Sequence, residues 1–120
     1  MYTTTLCPFI KAATISADFR DTKFELNKTT HTKLLNTLSK PFEDFGNFQA
    51  IGMICPRPCM VQVRQNDPIF DIVKARVEAE TAGFFYEKLG IKDKFEFLEH
   101  PGSHEFEIKS IFVFFDKYLK

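Results

Sequence analysis

Three short apolar stretches along the chain have the lengths and patterns of β-strands. Residues 10–16 and 59–63 are mostly apolar runs of the kind that forms buried strands. Residues 95–99 alternate between apolar side chains and glutamate, which also favours a strand. Residues 17–43 are polar and irregular, with helical turns expected only around residues 32–38. The pattern therefore predicts three strands, with a long excursion after the first.

The remaining segments have the spacing of helices. A brief helix is expected over residues 45–52, ending before Pro56 because residues that precede proline avoid the helical region. Asp71 is expected to cap a long helix over residues 72–89, which Gly90 ends with a positive φ. The apolar face of this helix is predicted to comprise Val73, Val77, Phe84 and Leu89. A closing amphipathic helix is predicted from Ile108, Ile111, Phe112, Phe115 and Leu119.

The order of these elements predicts an α/β fold. Strands that alternate with helices form parallel sheets through right-handed crossovers, with helices on the faces. A chain of 120 residues suits one domain, so residues 1–120 are assigned to a single unit. In such sheets the functional groups gather just beyond the carboxyl ends of the strands.

Two titratable residues follow successive predicted strands. Asp67 lies in the turn after the second strand, and His104 lies in a glycine-containing loop after the third. Neighbouring parallel strands are about 4.8 Å apart, which allows the two side chains to meet. An aspartate that accepts a hydrogen bond from an imidazole fixes its tautomer and supports the imidazolium formed in catalysis. The competing interpretation is that Asp67 merely forms a turn before Pro68 and that His104 is a solvated loop residue.

Several of these segments together resemble the α/β-hydrolase superfamily, especially its dienelactone hydrolase and acetyl xylan esterase branches. The segments are Ile54-Cys55-Pro56-Arg57-Pro58, Asp67-Pro68-Ile69-Phe70, and Gly102-Ser103-His104-Glu105-Phe106. The resemblance is best over residues 54–120. It implies that Asp67 is the acid and His104 the base of a catalytic triad in the order Ser, Asp, His. It also implies a structural role for Arg57.

The chain departs from that family at the nucleophile. None of Ser16, Ser39, Ser103 and Ser110 lies in the G-x-S-x-G turn that carries the family's catalytic serine. The resemblance implies that residues 1–120 are a truncated hydrolase domain that begins just after this turn and also lacks the oxyanion donors. We therefore expect the C-terminal segment of a serine carboxylic-ester hydrolase, inactive alone. Its small-molecule ester substrate would belong to the complete parent protein.

The alternative is a non-catalytic interaction or remnant domain that keeps the fold without the chemistry. A partial sheet would expose the edge of the first strand, residues 10–16, and exposed edges pair with other chains. This interpretation predicts a homodimer, poor solubility, or a partner such as the missing N-terminal half.

The amino-acid composition bears on two classes of partner, nucleic acids and membranes, and on the cellular location. The chain carries 16 basic and 16 acidic residues, whereas nucleic-acid-binding domains usually have a basic excess. No apolar run approaches the roughly 18 residues of a membrane helix, so neither nucleic acid nor membrane is expected as a partner. An odd set of three cysteines fits a reducing compartment and favours a cytoplasmic location. The aromatic runs at residues 84–86 and 112–115 are interpreted as core.

No metal or cofactor site is predicted. His100 and His104 are four residues apart, but the intervening Pro-Gly pair breaks the helix that such ligands would need. Cys55 and Cys59 lack a second Cys/His pair, so we expect buried, inert thiols. Cys7 lacks the glycines of a nucleophile turn and is not expected to replace the serine.

Overall fold

The computed structural model describes residues 1–16, 19, 45–68, 70–102 and 105–120. Its helices and strands, in chain order, are α1 (Tyr2–Leu6), β1 (Ala13–Ser16), α2 (Asn47–Ile54), β2 (Cys59–Arg64), α3 (Ile72–Lys88), β3 (Phe95–His100) and α4 (Ile108–Tyr118). A 3₁₀ turn, Lys92–Lys94, precedes β3. The helical turns expected around residues 32–38 lie outside the described residues.

The three strands form one parallel sheet in the order β1-β2-β3. Ala13 pairs with Cys59, and Cys59 in turn pairs with Phe95, so the strands start level with one another. All six residues of the central strand β2 are buried. The predicted α/β class, with three parallel strands and flanking helices, is confirmed.

Alternate residues of β2 face two different helical layers. Cys59, Val61 and Val63 belong to a core cluster with residues of α2 and α3, including Ile51 and Tyr86. On the opposite face, Met60 packs with Ala12 and with Phe114 of α4. The sheet is therefore covered on one face by α2 and α3 and on the other by α4. Within the described part of the chain, no helix is long and apolar enough to cross a bilayer.

The helix α3 begins and ends as predicted but packs through a different face. The Asp71 side chain accepts hydrogen bonds from the amides of Val73 and Lys74, and Gly90 follows the helix with a φ of 69°. The buried residues are Ala75, Ala79, Ala82 and Tyr86. The predicted apolar face is wrong, because Val73, Val77, Phe84 and Leu89 are 54% to 62% exposed. The short alanine side chains allow the helix backbone to approach the sheet closely, which a stripe of larger residues would prevent.

The predicted face of α4 is wrong in part. Phe114 is its buried residue, with Ile111, Phe115 and Tyr118 packed around it. The predicted face residues Ile108, Phe112 and Leu119 are instead 54% to 68% exposed. Two polar contacts hold α4 against β3 and the 3₁₀ turn before it: Lys117 Nζ binds Glu96 at 2.9 Å, and the Tyr118 hydroxyl donates to the Asp93 carbonyl. The aromatic runs are therefore only partly core, since Phe84, Phe112 and Val113 are exposed.

Candidate functional site

The loops after β2 and β3 run side by side at the carboxyl edge of the sheet. The Gln65 amide donates to the His100 carbonyl at 3.0 Å, which extends the ladder one residue beyond β2. The Asn66 side-chain amide donates to the Pro101 carbonyl at 3.3 Å. These two bonds hold the turn that contains Asp67 against the start of the loop that follows β3.

Asp67 lies in that turn with its carboxylate turned inward. Its Oδ2 is 2.6 Å from Arg64 Nη1, and the two side chains are 2% and 3% exposed. Its Oδ1 accepts a hydrogen bond from the Phe70 amide at 3.2 Å. A carboxylate can be buried at this level because a guanidinium and an amide replace water. The Asp67 carboxylate therefore has a fixed orientation at the end of β2.

Arg64, the last residue of β2, connects the two loops. Besides binding Asp67, its guanidinium donates from Nε to the carbonyl of Glu105 at 2.6 Å. One planar group thus fixes a carboxylate after β2 and a backbone carbonyl after β3, a task to which its rigid fork of donors is suited. We did not predict this residue; its signal is a cation that ends an apolar strand three residues before an aspartate.

The predicted base, His104, lies outside the described residues together with Ser103. Its contact with Asp67 therefore stays a prediction. His100 is described: it ends β3 and is buried on the α4 face of the sheet. Among the described residues, no group of three or more His, Cys, Asp or Glu is arranged to hold a metal ion.

Gln62 and Glu107 join the sheet to α4 close to this edge. The Glu107 amide donates to Gln62 Oε1 at 2.8 Å, and Glu107 Oε2 accepts from the Ser110 amide at 2.6 Å, capping α4. Hydrogen bonds from the Ser110 side chain and amide lower the pKa of Glu107. Among the described residues, buried Gln62 Nε2 has no hydrogen-bond partner.

The cysteines with buried sulfur are unsuited to nucleophilic chemistry. Burial of Cys59 raises its pKa to about 12, and partial burial also raises the pKa of Cys55. The thiolate is the reactive form, so burial disfavours the reactive form of both thiols near neutral pH. The expected burial is confirmed for Cys59, whereas Cys55 is half-buried.

Arg57 lies two residues before β2, at the other end of this strand from the Asp67 turn, and anchors the N-terminal segment. Its guanidinium donates to the carbonyls of Thr4, Cys7 and Ile10 at 2.8 to 3.0 Å, and its Nε donates to Ile54 at 3.1 Å. The acceptors of these bonds within the described part of the chain are all backbone carbonyls, and the bonds join the N-terminal segment to the loop before β2.

In the comparisons with known proteins, the chain matches no family model, no curated protein and no solved structure.

Proposed function

We propose that this chain is the acid- and base-bearing segment of a serine carboxylic-ester hydrolase. In this proposal Asp67 orients the imidazole of His104, which removes the proton of a serine supplied by a separate segment. That segment would also supply the oxyanion donors, because the chain contains no G-x-S-x-G turn. The chain alone is therefore expected to have no esterase turnover.

The observation that carries the proposal is the bridge made by Arg64. Its guanidinium binds the Asp67 carboxylate and the Glu105 carbonyl, at 2.6 Å in each case. Glu105 directly follows His104 in the sequence. A triad requires its acid and base on two separately supported loops held in a fixed relation, and this bridge ties the two loops together.

The same bridge affects how Asp67 would act. A guanidinium that already compensates the carboxylate reduces the attraction between Asp67 and an imidazolium. Asp67 would then contribute mainly by holding the imidazole in one tautomer and orientation.

Reconstitution of activity tests the proposal. We would fuse the chain to an upstream segment that carries a G-x-S-x-G turn and measure hydrolysis of p-nitrophenyl acetate. Asp67→Asn is expected to lower kcat about 10⁴-fold, as in other triads that lose their acid. Asp71→Asn is the matched control, because asparagine caps a helix about as well as aspartate. Full activity of Asp67→Asn would rule out Asp67 as the acid.

A second measurement needs only the chain itself. The imidazole of His104 can be followed by NMR as pH is varied, with the signal assigned through His104→Gln. If Asp67 accepts from this imidazole, Asp67→Asn makes His104 lose its proton at lower pH, because the stabilising carboxylate is gone. Identical titrations of the native chain and Asp67→Asn would contradict the contact.

The second candidate function is non-catalytic association through the β1 edge of the sheet. Within the described residues β1 pairs with β2 alone. Ile108, Phe112 and Leu119 are exposed on the flank of α4 opposite Lys117, the residue that contacts β3. This apolar flank therefore lies on the side of α4 away from the contact with β3, and in this candidate function an associating chain buries it.

Sedimentation equilibrium distinguishes this candidate. Association through the β1 edge predicts that the native chain self-associates and that Phe112→Lys makes it monomeric. The control Lys109→Glu, on the same helix, is expected to leave the association unchanged. A native chain that stays monomeric at high concentration would count against the association.

A further inference from the structure

A groove of about 550 Å³ lies between α3 and β3, on the edge of the sheet remote from β1. Its helical wall contains the small residues Ala79 and Gly83, and its strand wall contains Phe95 and Phe97. A Cβ built on Gly83 would lie 3.5 Å from the Phe95 ring, so the helix backbone approaches the ring closely. Small residues opposite two aromatic rings give the groove an apolar floor.

The backbone of β3 offers hydrogen-bonding groups along this groove. The His100 carbonyl accepts from Gln65, so His100 directs its backbone groups toward β2. Along a strand, the backbone N–H and C=O groups of successive residues point alternately to one neighbouring strand position and to the other. The amides and carbonyls of Phe95, Phe97 and Glu99 therefore point away from β2. Among the described residues, β2 is the only strand paired with β3.

These same three residues direct their side chains into the groove. A strand added along β3 would therefore place alternate side chains on the groove face, directly beside Phe95 and Phe97. Strand addition next to a helix uses main-chain bonds for affinity and side-chain pockets for selectivity.

The charged rim of the groove favours a basic occupant. The rim contains Glu80, Glu87 and Glu99, against Arg76 and Lys92. Arg76 is already engaged, because its Nε and Nη2 bind the two Glu99 oxygens at 2.6 and 2.7 Å. Glu80 and Glu87 therefore outnumber the remaining cation, Lys92.

Apolar surface continues past this rim on α3. Val77 and Phe84 lie three residues before and four residues after Glu80, spacings that make side chains neighbours on a helix. Both are more than half exposed. An occupant with apolar groups thus finds further apolar surface beyond the groove.

We propose that the groove between α3 and β3 binds an extended peptide segment with apolar and basic side chains, added as a strand to the edge of β3. Asp67 is not among the residues that line this groove, and the proposal does not depend on the hydrolase function.

Fluorescence anisotropy with defined peptides tests the site. The probe is a fluorescein-labelled octapeptide of alternating valine and lysine, capped at both ends, added to the full chain. A valine–glutamate octapeptide is expected to bind at least about tenfold more weakly, equivalent to about 1.4 kcal/mol. A valine–lysine peptide methylated on alternate backbone nitrogens is also expected to bind more weakly, because it cannot complete the ladder.

Variants of α3 locate the binding. Gly83→Leu is expected to fill the groove and weaken binding of the valine–lysine peptide about tenfold or more. Lys109→Leu is the control, because it adds a leucine at an exposed position of α4, the helix that covers the opposite face of the sheet. The double variant Glu80→Lys, Glu87→Lys alters only exposed residues and is expected to reverse the preference between the two peptides. This variant keeps the site testable if Gly83→Leu fails to fold.

Three results would overturn the proposal. One is equal binding of the valine–lysine and valine–glutamate peptides, or no binding of either. Another is unchanged affinity in a folded Gly83→Leu chain. The third is sedimentation showing a dimer that Gly83→Leu abolishes, since the groove would then hold a second copy of the chain.

Discussion

The hydroxyl of Tyr86, a fully buried residue of α3, donates a hydrogen bond to the carbonyl of Arg57 at 2.8 Å. This bond joins the long helix to the loop before β2. The same ring stacks on Phe95 of β3, with centroids 5.4 Å apart. Tyr86 therefore connects three parts of the fold through one side chain.

Removal of the Tyr86 hydroxyl is expected to destabilise the chain. Tyr86→Phe keeps the ring but leaves a buried carbonyl without this donor, a loss of about 1–2 kcal/mol. Urea denaturation followed by circular dichroism measures the change. Tyr118→Phe is the control, because its hydroxyl bond to Asp93 is exposed to solvent and water can replace the donor. If both variants lose the same free energy of unfolding, burial does not make the Tyr86 hydrogen bond more stabilising than the exposed one.

Arg57 is expected to hold α1 in place. Arg57→Lys keeps the charge but loses the planar fork that reaches the carbonyls of Thr4, Cys7 and Ile10. We expect a loss of about 2–4 kcal/mol, since hydrogen bonds from charged donors are worth more than neutral ones. Hydrogen exchange should show early loss of protection at the amide of Cys7, which bonds to Thr3 within α1. Unchanged protection there would contradict the anchoring role, and Lys11→Arg serves as the control.

The strands and the fold class were predictable because each strand is a short apolar run between turn signals. The helix faces were not. In α3 the large apolar residues Val73, Val77 and Phe84 suggest a packed stripe, yet the alanines at Ala75 and Ala79 face the sheet. The sequence prediction assigned the packed face to the largest apolar side chains. A helix that lies close to a sheet instead needs small side chains on the face that packs against it.

The candidate site, too, was predictable from the sequence only in part. The position of Asp67 at the carboxyl end of β2 followed from the order of elements. Its pairing with Arg64 did not, because an ion pair within a turn depends on the backbone path, which the sequence pattern does not specify. The core position of Tyr86 was predicted together with the rest of the run 84–86, but the sequence did not distinguish it from Phe84, which is exposed.

Two glycines inside helices are expected to respond oppositely to alanine. A Cβ on Gly52 of α2 would lie 2.9 Å from the Phe85 ring, closer than packing allows, whereas a Cβ on Gly83 would lie 3.5 Å from Phe95, an ordinary contact. Gly83→Ala should therefore stabilise the chain by up to about 1 kcal/mol through helix propensity. Gly52→Ala should destabilise it by about 1–3 kcal/mol through overpacking. Thermal and urea denaturation of the two variants measures the change in stability of each. A change of the same sign in both variants would refute the packing argument.

The stability of the chain is expected to fall as pH rises above 9. Burial raises the pKa of Cys59 from 9.0 to about 12, so between these values the unfolded chain loses a proton that the folded chain keeps. Unfolding is then favoured by about 1.4 kcal/mol per pH unit from this group. Burial also raises the pKa of Tyr86, which adds to the decline above pH 10. Urea denaturation from pH 8.5 to 10 checks the slope: Cys59→Ala should lower it, and Cys55, whose pKa burial also raises, accounts for part of the slope that remains.

A double-mutant cycle on Arg64 and Asp67 tests whether the buried pair acts as one unit. Arg64→Met leaves a buried carboxylate without its guanidinium, and Asp67→Asn leaves the guanidinium without its counter-charge, so each should cost about 3–5 kcal/mol. The double variant removes both charges and should cost less than the sum, with a coupling of about 2 kcal/mol. The exposed pair Arg76–Glu99 is the control, because solvent screens it and its coupling should be much smaller. Additive losses at Arg64 and Asp67 would mean that each side chain is held independently, and that the guanidinium does not set the orientation of the carboxylate.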